Sequence, residues 1–161
     1  MMSPNVAQQS MQDLLEQEVR CTELLLKTLA TERTALTERN VAVLETTTND
    51  KIKYYQKLES LAAQRTRLVS ELGFKTDRAG VELCFESLPG TDQIIANWHR
   101  IASNIEKCRN SNLVNGSVLE AGRQQVEQAL GILRGQGDIP GVYTPNGMAS
   151  GNLGHRKLGE V

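Results

Sequence analysis

Histidine and cysteine are the side chains of this sequence best suited to chemistry, and they are few. Its two histidines are His99 and His155, and its three cysteines, Cys21, Cys84 and Cys108, lie far apart. A structural zinc site needs closely spaced ligands such as Cys-x-x-Cys, and this spacing does not occur. We therefore expect neither a metal site nor a disulfide framework. The three thiols are expected to be small buried hydrophobic groups.

The sequence does not predict a catalytic constellation. His99 is adjacent to an apolar helical stripe, and His155 lies in a glycine-rich segment that would not hold it in a fixed geometry. The glutamates are scattered at the spacing of solvated helix surfaces. No glycine-rich loop follows a strand, so a phosphate-binding loop is not expected. We predict a binding protein without cofactors. A helical hydrolase or metalloprotein is the enzyme alternative, which a metal or cofactor signal in the purified protein would support.

The charge balance gives no reason to expect nucleic acid or a membrane surface as a partner. With 18 basic and 19 acidic residues the formal net charge is −1. Uninterrupted apolar runs such as residues 41–44 are too short to span a membrane. Residues 1–10 lack the basic and apolar pattern of a secretory signal. We predict a cytoplasmic protein without membrane insertion.

Apolar spacing predicts two long helices that form an antiparallel hairpin. Seam positions recur at alternating steps of four and three residues, as in helices packed on one another, and no glycine or proline interrupts residues 6–72. Asn40 is the expected N-cap of the second helix, and Gly73 its C-terminal cap. The first seam comprises Leu15, Val19, Thr22, Leu26, Leu29, Arg33 and Leu36, and the second Leu44, Thr48, Lys51, Tyr55, Leu58, Ala62, Arg65, Val69 and Leu72.

Three further helices are predicted to cover this hairpin. A short helix over residues 76–87 ends at Leu88-Pro89-Gly90, and Thr91 is expected to cap the next helix. Asn115-Gly116 predicts a turn, after which Ser117 and Glu120 have the spacing of a capping box for a final helix ending at Arg134. The stripe of the fourth helix is Ile94, Trp98, Ile101, Ile105, Cys108 and Asn112, and that of the last is Leu119, Gly122, Val126, Ala129 and Leu133. Tyr55 and Trp98 are expected to pack in the core.

The predicted fold class is therefore all-α. It is a long antiparallel helical hairpin covered by shorter helices, bundle or coiled-coil-like, with a mobile C-terminal tail. We assign residues 1–134 to the helical bundle domain and residues 135–161 to a flexible Gly/Pro-rich tail. Ordering a backbone costs about 1–2 kcal/mol per residue, which the few apolar side chains of the tail do not offset. We expect the tail to become ordered only on a partner.

The tail also contains a candidate recognition element, Tyr143-Thr144-Pro145-Asn146-Gly147. An aromatic side chain beside a Pro-Asn-Gly turn is a plausible contact in a segment that does not fold alone. A chance turn in a disordered end is the competing interpretation, and composition alone leaves both open.

The order of short motifs resembles the flagellar type III export chaperones of the FlgN family. The resemblance extends from about Leu14 to Gly147, and no single motif in it is highly specific. Its elements are Glu32-Arg33-x-Ala35-Leu36, Arg39-Asn40-x-x-x-Leu44-Glu45, Gln64-Arg65, Leu72-Gly73-Phe74, Trp98, Cys108-Arg109-Asn110-Ser111-Asn112, Asn112-x-x-Asn115-Gly116 and the tail motif at residues 143–147. The extension after Gly147 is not covered.

The resemblance implies a cytosolic chaperone without ATPase activity. Such a protein binds hook-associated proteins of the hook–filament junction, prevents their premature assembly and delivers them to the export gate. The family's C-terminal region contacts cargo and gate, and its tail tyrosine corresponds to Tyr143. The partner-binding residues implied here are Val126, Leu130, Leu133, Ile139, Val142, Tyr143, Pro145 and Gly147. The structural alternative is a coiled-coil adaptor that self-associates, which a concentration-dependent mass without cargo would favour.

Truncation after Arg134 tests the predicted role of the tail. The shortened chain should stay folded, because the helical seams are intact, but should capture cargo or reach the gate less well. Tyr143→Ala is the finer variant, since an aromatic contact at the centre of an interface contributes about 2 kcal/mol, or roughly 30-fold in affinity. Calorimetry with a hook-associated protein and a swimming assay measure both partners. Unchanged binding and motility of the truncated chain would exclude this role.

Overall fold

The computed structural model describes residues 1–134, which form four helices. They are α1 (Pro4–Glu38), α2 (Val41–Glu71), α3 (Arg78–Ser87) and α4 (Thr91–Leu133), and no strand occurs in this part of the chain. The predicted all-α fold is confirmed. The predicted tail, residues 135–161, lies outside the described residues. The chain divides into two compact units, Met1–Val118 and Leu119–Val161, and each is described by itself.

The corner between α1 and α2 forms where the sequence predicts it. The Asn40 side chain accepts a hydrogen bond from the backbone N–H of Val43 at 3.2 Å, so Asn40 is the N-cap of α2. Arg39, just before it, has a left-handed backbone with φ of 56°. At the other end of α2, Gly73 has φ of 85°, the conformation in which glycine is least strained. Both cap predictions are confirmed.

Side-chain contacts between α1 and α2 show that the two helices are antiparallel. Glu18 in the first half of α1 pairs with Arg65 in the last third of α2, with 2.8 Å between Oε1 and Nε. Farther along α1, Glu32 pairs with Lys51, with 3.1 Å between Oε2 and Nζ. Residue numbers therefore rise along α1 as they fall along α2, which confirms the hairpin.

The first part of α4 packs beside α1 and runs parallel to it. The Asn104 amide donates to the Thr22 hydroxyl at 3.0 Å, and the Asn115 amide donates to the Leu29 carbonyl at 2.9 Å. Residue numbers rise together along both helices. The first unit is thus a bundle in which α1 is covered on one side by α2 and on another by α4.

The larger apolar core lies at the end of the bundle where α1 begins. Here α3 closes the bundle, and the ring of its Phe85 meets that of Trp98 edge-on with 5.3 Å between centroids. Trp98 therefore packs against the core as expected. The cluster comprises Ala7, Met11, Leu15, Val19, Leu68, Val69, Val81, Cys84, Phe85, Leu88, Ile94 and Ile101.

The boundaries of α3 and α4 differ slightly from the prediction. The first helical residue of α3 is Arg78, because the Asp77 carboxylate accepts from the Gly80 N–H at 2.8 Å and caps the helix. Thr91 does not cap α4: its hydroxyl donates to the Leu88 carbonyl at 2.6 Å. Gly90, at φ of 68°, accepts the first backbone hydrogen bond of α4 through its carbonyl.

The predicted seams are partly wrong in phase. In α2, Thr48 and Tyr55 are exposed, whereas Thr47 and Leu61 are buried, so most of the buried series is shifted by one residue. Polar residues occupy several seam positions of α2. The apolar pattern alone therefore fits two sets of buried positions that differ by one residue. Tyr55 accordingly does not pack in the core as predicted.

The predicted seams of α1 and α4 also include residues that are exposed in the structure, for a different reason. Arg33 lies on the predicted seam but is exposed, because α1 is buried along two stripes that face different helices. In α4 the buried positions include Asn97 and Asn104, and Ile105 and Asn112 are exposed instead. Asparagine was not predicted to be a core residue.

The predicted turn at Asn115-Gly116 is wrong, because α4 is continuous to Leu133. Asn115 is only 2% exposed and binds α1 with its whole amide: Nδ2 donates to Leu29 O and to Glu32 Oε1, and Oδ1 accepts from Arg33 Nε. These contacts override the turn tendency of Asn-Gly. Ser117 likewise caps nothing, since its hydroxyl donates to the Leu113 carbonyl.

Asn115→Ala should destabilise the bundle by about 1–3 kcal/mol, because it leaves buried groups of α1 without their hydrogen-bond partner. Asn110→Ala is the matched control, since Asn110 is exposed on the same helix and its loss should change stability by about 0.5 kcal/mol or less. Urea denaturation followed by circular dichroism measures both. Equal stabilities of the two variants would contradict the role assigned to Asn115.

Candidate partner-binding site

The last part of α4, from Leu119 onward, presents several large apolar side chains to solvent. Five of them are between 41% and 82% exposed: Leu119, Val126, Leu130, Ile132 and Leu133. Large exposed apolar patches on a protein surface usually mark a binding site. Within the second unit these residues are the candidate site.

Four of the five residues form a stripe along one side of the helix. Leu119, Val126 and Leu133 are separated by seven residues, or nearly two turns, and Leu130 lies one turn after Val126. Gly122 fills the position between Leu119 and Val126. We call Leu119, Gly122, Val126, Leu130 and Leu133 the exposed stripe. Its spacing is that of a helix which packs on another helix.

Three charged side chains beside the exposed stripe are paired with one another within α4. Arg123 donates to Glu120 Oε1 at 2.7 Å and also binds Glu127. The hydrogen bond from Arg123 lowers the pKa of the Glu120 carboxyl, and the same contact raises the pKa of Arg123. All three groups are exposed, so the pairs contribute little to stability. They do cancel much of the charge that a partner would meet.

Three of the eight predicted partner-binding residues, Val126, Leu130 and Leu133, therefore lie on exposed surface of one helix. Sequence reasoning placed Leu119 on the same stripe but did not include it among the binding residues, although its seven-residue spacing from Val126 was the available signal. Ile132 was also missed, because it lies off that spacing. The other predicted residues, Ile139, Val142, Tyr143, Pro145 and Gly147, lie outside the described residues.

A concave surface occurs in the first unit, between α1, α2 and α4. It is an open cleft of about 280 Å³, smaller than typical small-molecule sites. Most of its lining is apolar, and the thiol of Cys108 is turned toward the Thr22 carbonyl at 3.7 Å. The lining residues are Thr22, Leu25, Tyr55, Leu58, Ile105, Cys108, Arg109 and Asn112. Their arrangement provides no convergent acid, base or nucleophile.

The groups singled out for chemistry are separate from one another. His99 is exposed on α4, while Cys21, Cys84 and Cys108 are buried and unpaired. Among residues 1–134, no three His, Cys, Asp or Glu side chains are grouped so that they could hold a metal ion. Within the same range, no helix combines the length and apolar character needed to cross a membrane.

The described residues form an all-helical fold with an exposed apolar stripe, and comparison with known proteins gives the family of the chain. The family model described as FlgN protein matches residues 1–151, so the chain belongs to the FlgN family. This is a family of flagellar export chaperones rather than of enzymes, and the general function of the chain is that of a chaperone in flagellum biogenesis.

A solved structure supports the same assignment. The chain is similar to a flagella synthesis protein FlgN from Pseudomonas aeruginosa, with 25% sequence identity and a TM-score of 0.64. The match covers 83% of this chain and 98% of that one. A comparison with curated protein sequences found no match.

The three cysteines should react slowly with a thiol reagent such as Ellman's reagent. Burial raises the pKa of each thiol, so the reactive thiolate is scarce in the folded protein even at pH 8, and access is blocked as well. In urea all three should react at the rate of glutathione, the control thiol. Fast labelling of any cysteine in the folded protein would show that its surroundings open to solvent.

Proposed function

We propose that this protein is a cytoplasmic chaperone that binds hook-associated proteins through the exposed stripe of α4, keeps them from assembling early and delivers them to the flagellar export gate. The observation that carries the proposal is the row of exposed apolar residues at helix-packing spacing, in a chain of the FlgN family. The tail residues Ile139, Val142, Tyr143, Pro145 and Gly147 are proposed to extend the same interface.

The chemistry of the exposed stripe favours an amphipathic helix as the bound segment. Such a helix buries its apolar face against apolar residues repeated at steps of three and four, which Leu119, Val126, Leu130 and Leu133 provide. Subunits of a helical assembly expose such faces before they assemble. A chaperone that covers this face prevents premature pairing and leaves the cargo's own helix intact.

The polar surroundings of the exposed stripe favour release as well as binding. Arg123 is paired with Glu120 and Glu127, so these three groups offer little charge for a strong ion pair with cargo. Affinity then depends on apolar contact, and the cost of ordering a flexible partner reduces it. A cargo that must pass to an export gate needs such limited affinity.

The coiled-coil adaptor remains the second candidate, and the same exposed stripe favours it. Two copies that paired through Leu119, Val126 and Leu133 would form a dimer without any cargo. Sedimentation of the purified chain over a range of concentrations separates the two functions, because a stable dimer that does not dissociate for cargo supports the adaptor.

Val126→Asp should weaken binding of a hook-associated protein by roughly 30-fold or more, because it places a carboxylate at the centre of an apolar interface. The fold should be unaffected, since Val126 is 52% exposed. Isothermal titration calorimetry measures the affinity, and circular dichroism checks the fold.

Ile52→Asp is the matched control for that variant. Ile52 is 51% exposed in the middle of α2, so Ile52→Asp removes a similar exposed apolar side chain from a residue that is not part of the exposed stripe. Its affinity for the hook-associated protein should equal that of the unaltered chain. Full affinity of Val126→Asp, or an equal loss in both variants, would overturn the proposed site.

A further inference from the structure

The contact of α4 with α1 changes in character at Asn104. Before that residue, Ile94 and Ile101 of α4 are buried in the larger apolar core. We call residues 104–118, which follow, the middle segment of α4. Its buried residues are Asn104, Cys108 and Asn115. Two amides and a small thiol, rather than aliphatic side chains, therefore face α1 along this segment.

The amides of the middle segment bind α1 by hydrogen bonds. The Asn104 amide donates to the Thr22 hydroxyl at 3.0 Å. Asn115 Nδ2 donates to the Leu29 carbonyl at 2.9 Å and to Glu32 Oε1 at 2.8 Å. If α4 slid along α1, these groups would lose their partners inside a dry interface, whereas water replaces the partners when the helices separate. The bonds therefore oppose sliding far more than separation.

The groups that the middle segment would leave keep other partners. The Thr22 hydroxyl donates to the Val19 carbonyl of its own helix at 2.9 Å, and Glu32 keeps its ion pair with Lys51 at 3.1 Å. Lys51 Nζ also donates to Asn112 Oδ1 of the middle segment at 3.2 Å, a bond in an exposed position that water readily replaces. Separation therefore leaves neither Thr22 nor Glu32 without a partner.

Apolar burial beneath the middle segment is small as well. The cluster there has three buried members, Leu25, Leu29 and Cys108, whereas the larger core has twelve. On the side of α2, the cleft of about 280 Å³ lies between Leu58 and Ile105, and Ile105 is 42% exposed. Because apolar burial is the main force that holds packed helices together, the middle segment is held less firmly than residues 94–101.

We propose that the middle segment of α4 is a cover that separates from the α1–α2 hairpin while the larger core stays folded. The boundary is the hydrogen bond between Thr22 and Asn104, before which Ile101 remains in the larger core. Opening exposes Leu25 and Leu29 to solvent. This inference goes beyond the proposed function, because it concerns the first unit and holds whether or not the exposed stripe binds cargo.

The native cysteines report this opening in the full, unaltered chain. Cys108 lies on the covered face of the middle segment, and Cys84 is fully buried in the larger core. Cys21 faces α2, where its S–H donates to the Tyr54 carbonyl at 3.5 Å. Iodoacetamide labelling followed by peptide mass spectrometry gives a rate for each thiol. All three should be slow beside glutathione, but Cys108 should react about tenfold faster, or more, than Cys84 and Cys21.

Repeating the labelling at low urea concentrations, below the unfolding transition, separates this opening from other routes. The Cys108 rate should rise with urea, but less steeply than the Cys84 rate, because partial opening exposes less surface than global unfolding. Equal rates and slopes for the two would mean that the bundle opens only as a whole. A Cys108 rate independent of urea would mean that the reagent enters through the cleft. Cys21 labelling as fast as Cys108 would mean that the hairpin opens. Each of these three results overturns the proposal.

Two variants of α4, one on each side of the boundary, complete the test. Ile94→Val weakens the larger core, which stays folded in the open state, so it should speed Cys84 labelling about fivefold and leave Cys108 unchanged. Asn115→Ala weakens the closed cover and should speed Cys108 labelling about tenfold, whereas the exposed Asn110→Ala should change neither rate. Equal acceleration of Cys84 and Cys108 by Ile94→Val, or an unchanged Cys108 rate in Asn115→Ala, refutes the cover.

Discussion

The carboxylate of Glu32 is the group on which the arrangement of the bundle depends. It is buried on α1, and it is satisfied by Lys51 of α2 at 3.1 Å and by the Asn115 amide of α4 at 2.8 Å. Removing the partner of a buried charge costs about 3–5 kcal/mol, so a shift of either helix along α1 is strongly disfavoured. Glu18 fixes the other half of the hairpin in the same way through Arg65, whose guanidinium also lies 4.7 Å from the centre of the Trp98 ring.

These pairs explain how a chain with only 4% aromatic residues forms a defined bundle. Its core is aliphatic and includes small and polar residues, which pack acceptably in more than one register. The buried pairs do not contribute much net stability, because desolvation offsets most of their attraction. They make alternative registers costly instead. Among the described residues, the buried pairs and apolar clusters named above lie between residues 1 and 118.

The hairpin and its caps were predictable because their signals are local and strong. Asn40 and Gly73 act through their own backbone conformations, and the long four-three series excluded strands. The phase of the seams and the continuity of α4 were not predictable, because Asn104 and Asn115 are buried through contacts with residues more than eighty positions away. Asn-Gly by itself predicts a turn. The helix continues through it because Asn115 is hydrogen-bonded to residues of α1, which the local sequence does not reveal. Of the site, the resemblance supplied Val126, Leu130 and Leu133. Their exposure agrees with that assignment, but their binding stays a prediction.

The local energetics of the exposed stripe connect its structure to a chaperone's need to release cargo. Gly122 and Gly131 each disfavour the helix by about 1 kcal/mol relative to alanine. The pairs of Arg123 with Glu120 and Glu127 are exposed to solvent and offset little of this cost. The segment is thus a weaker helix than its length alone would give, and the cargo helix that we propose to pack on it must also hold it in place. That ordering lowers the affinity without removing any apolar contact. Under the proposed function, specificity then comes from the fit of side chains along the stripe, while the complex stays weak enough to be separated at the export gate.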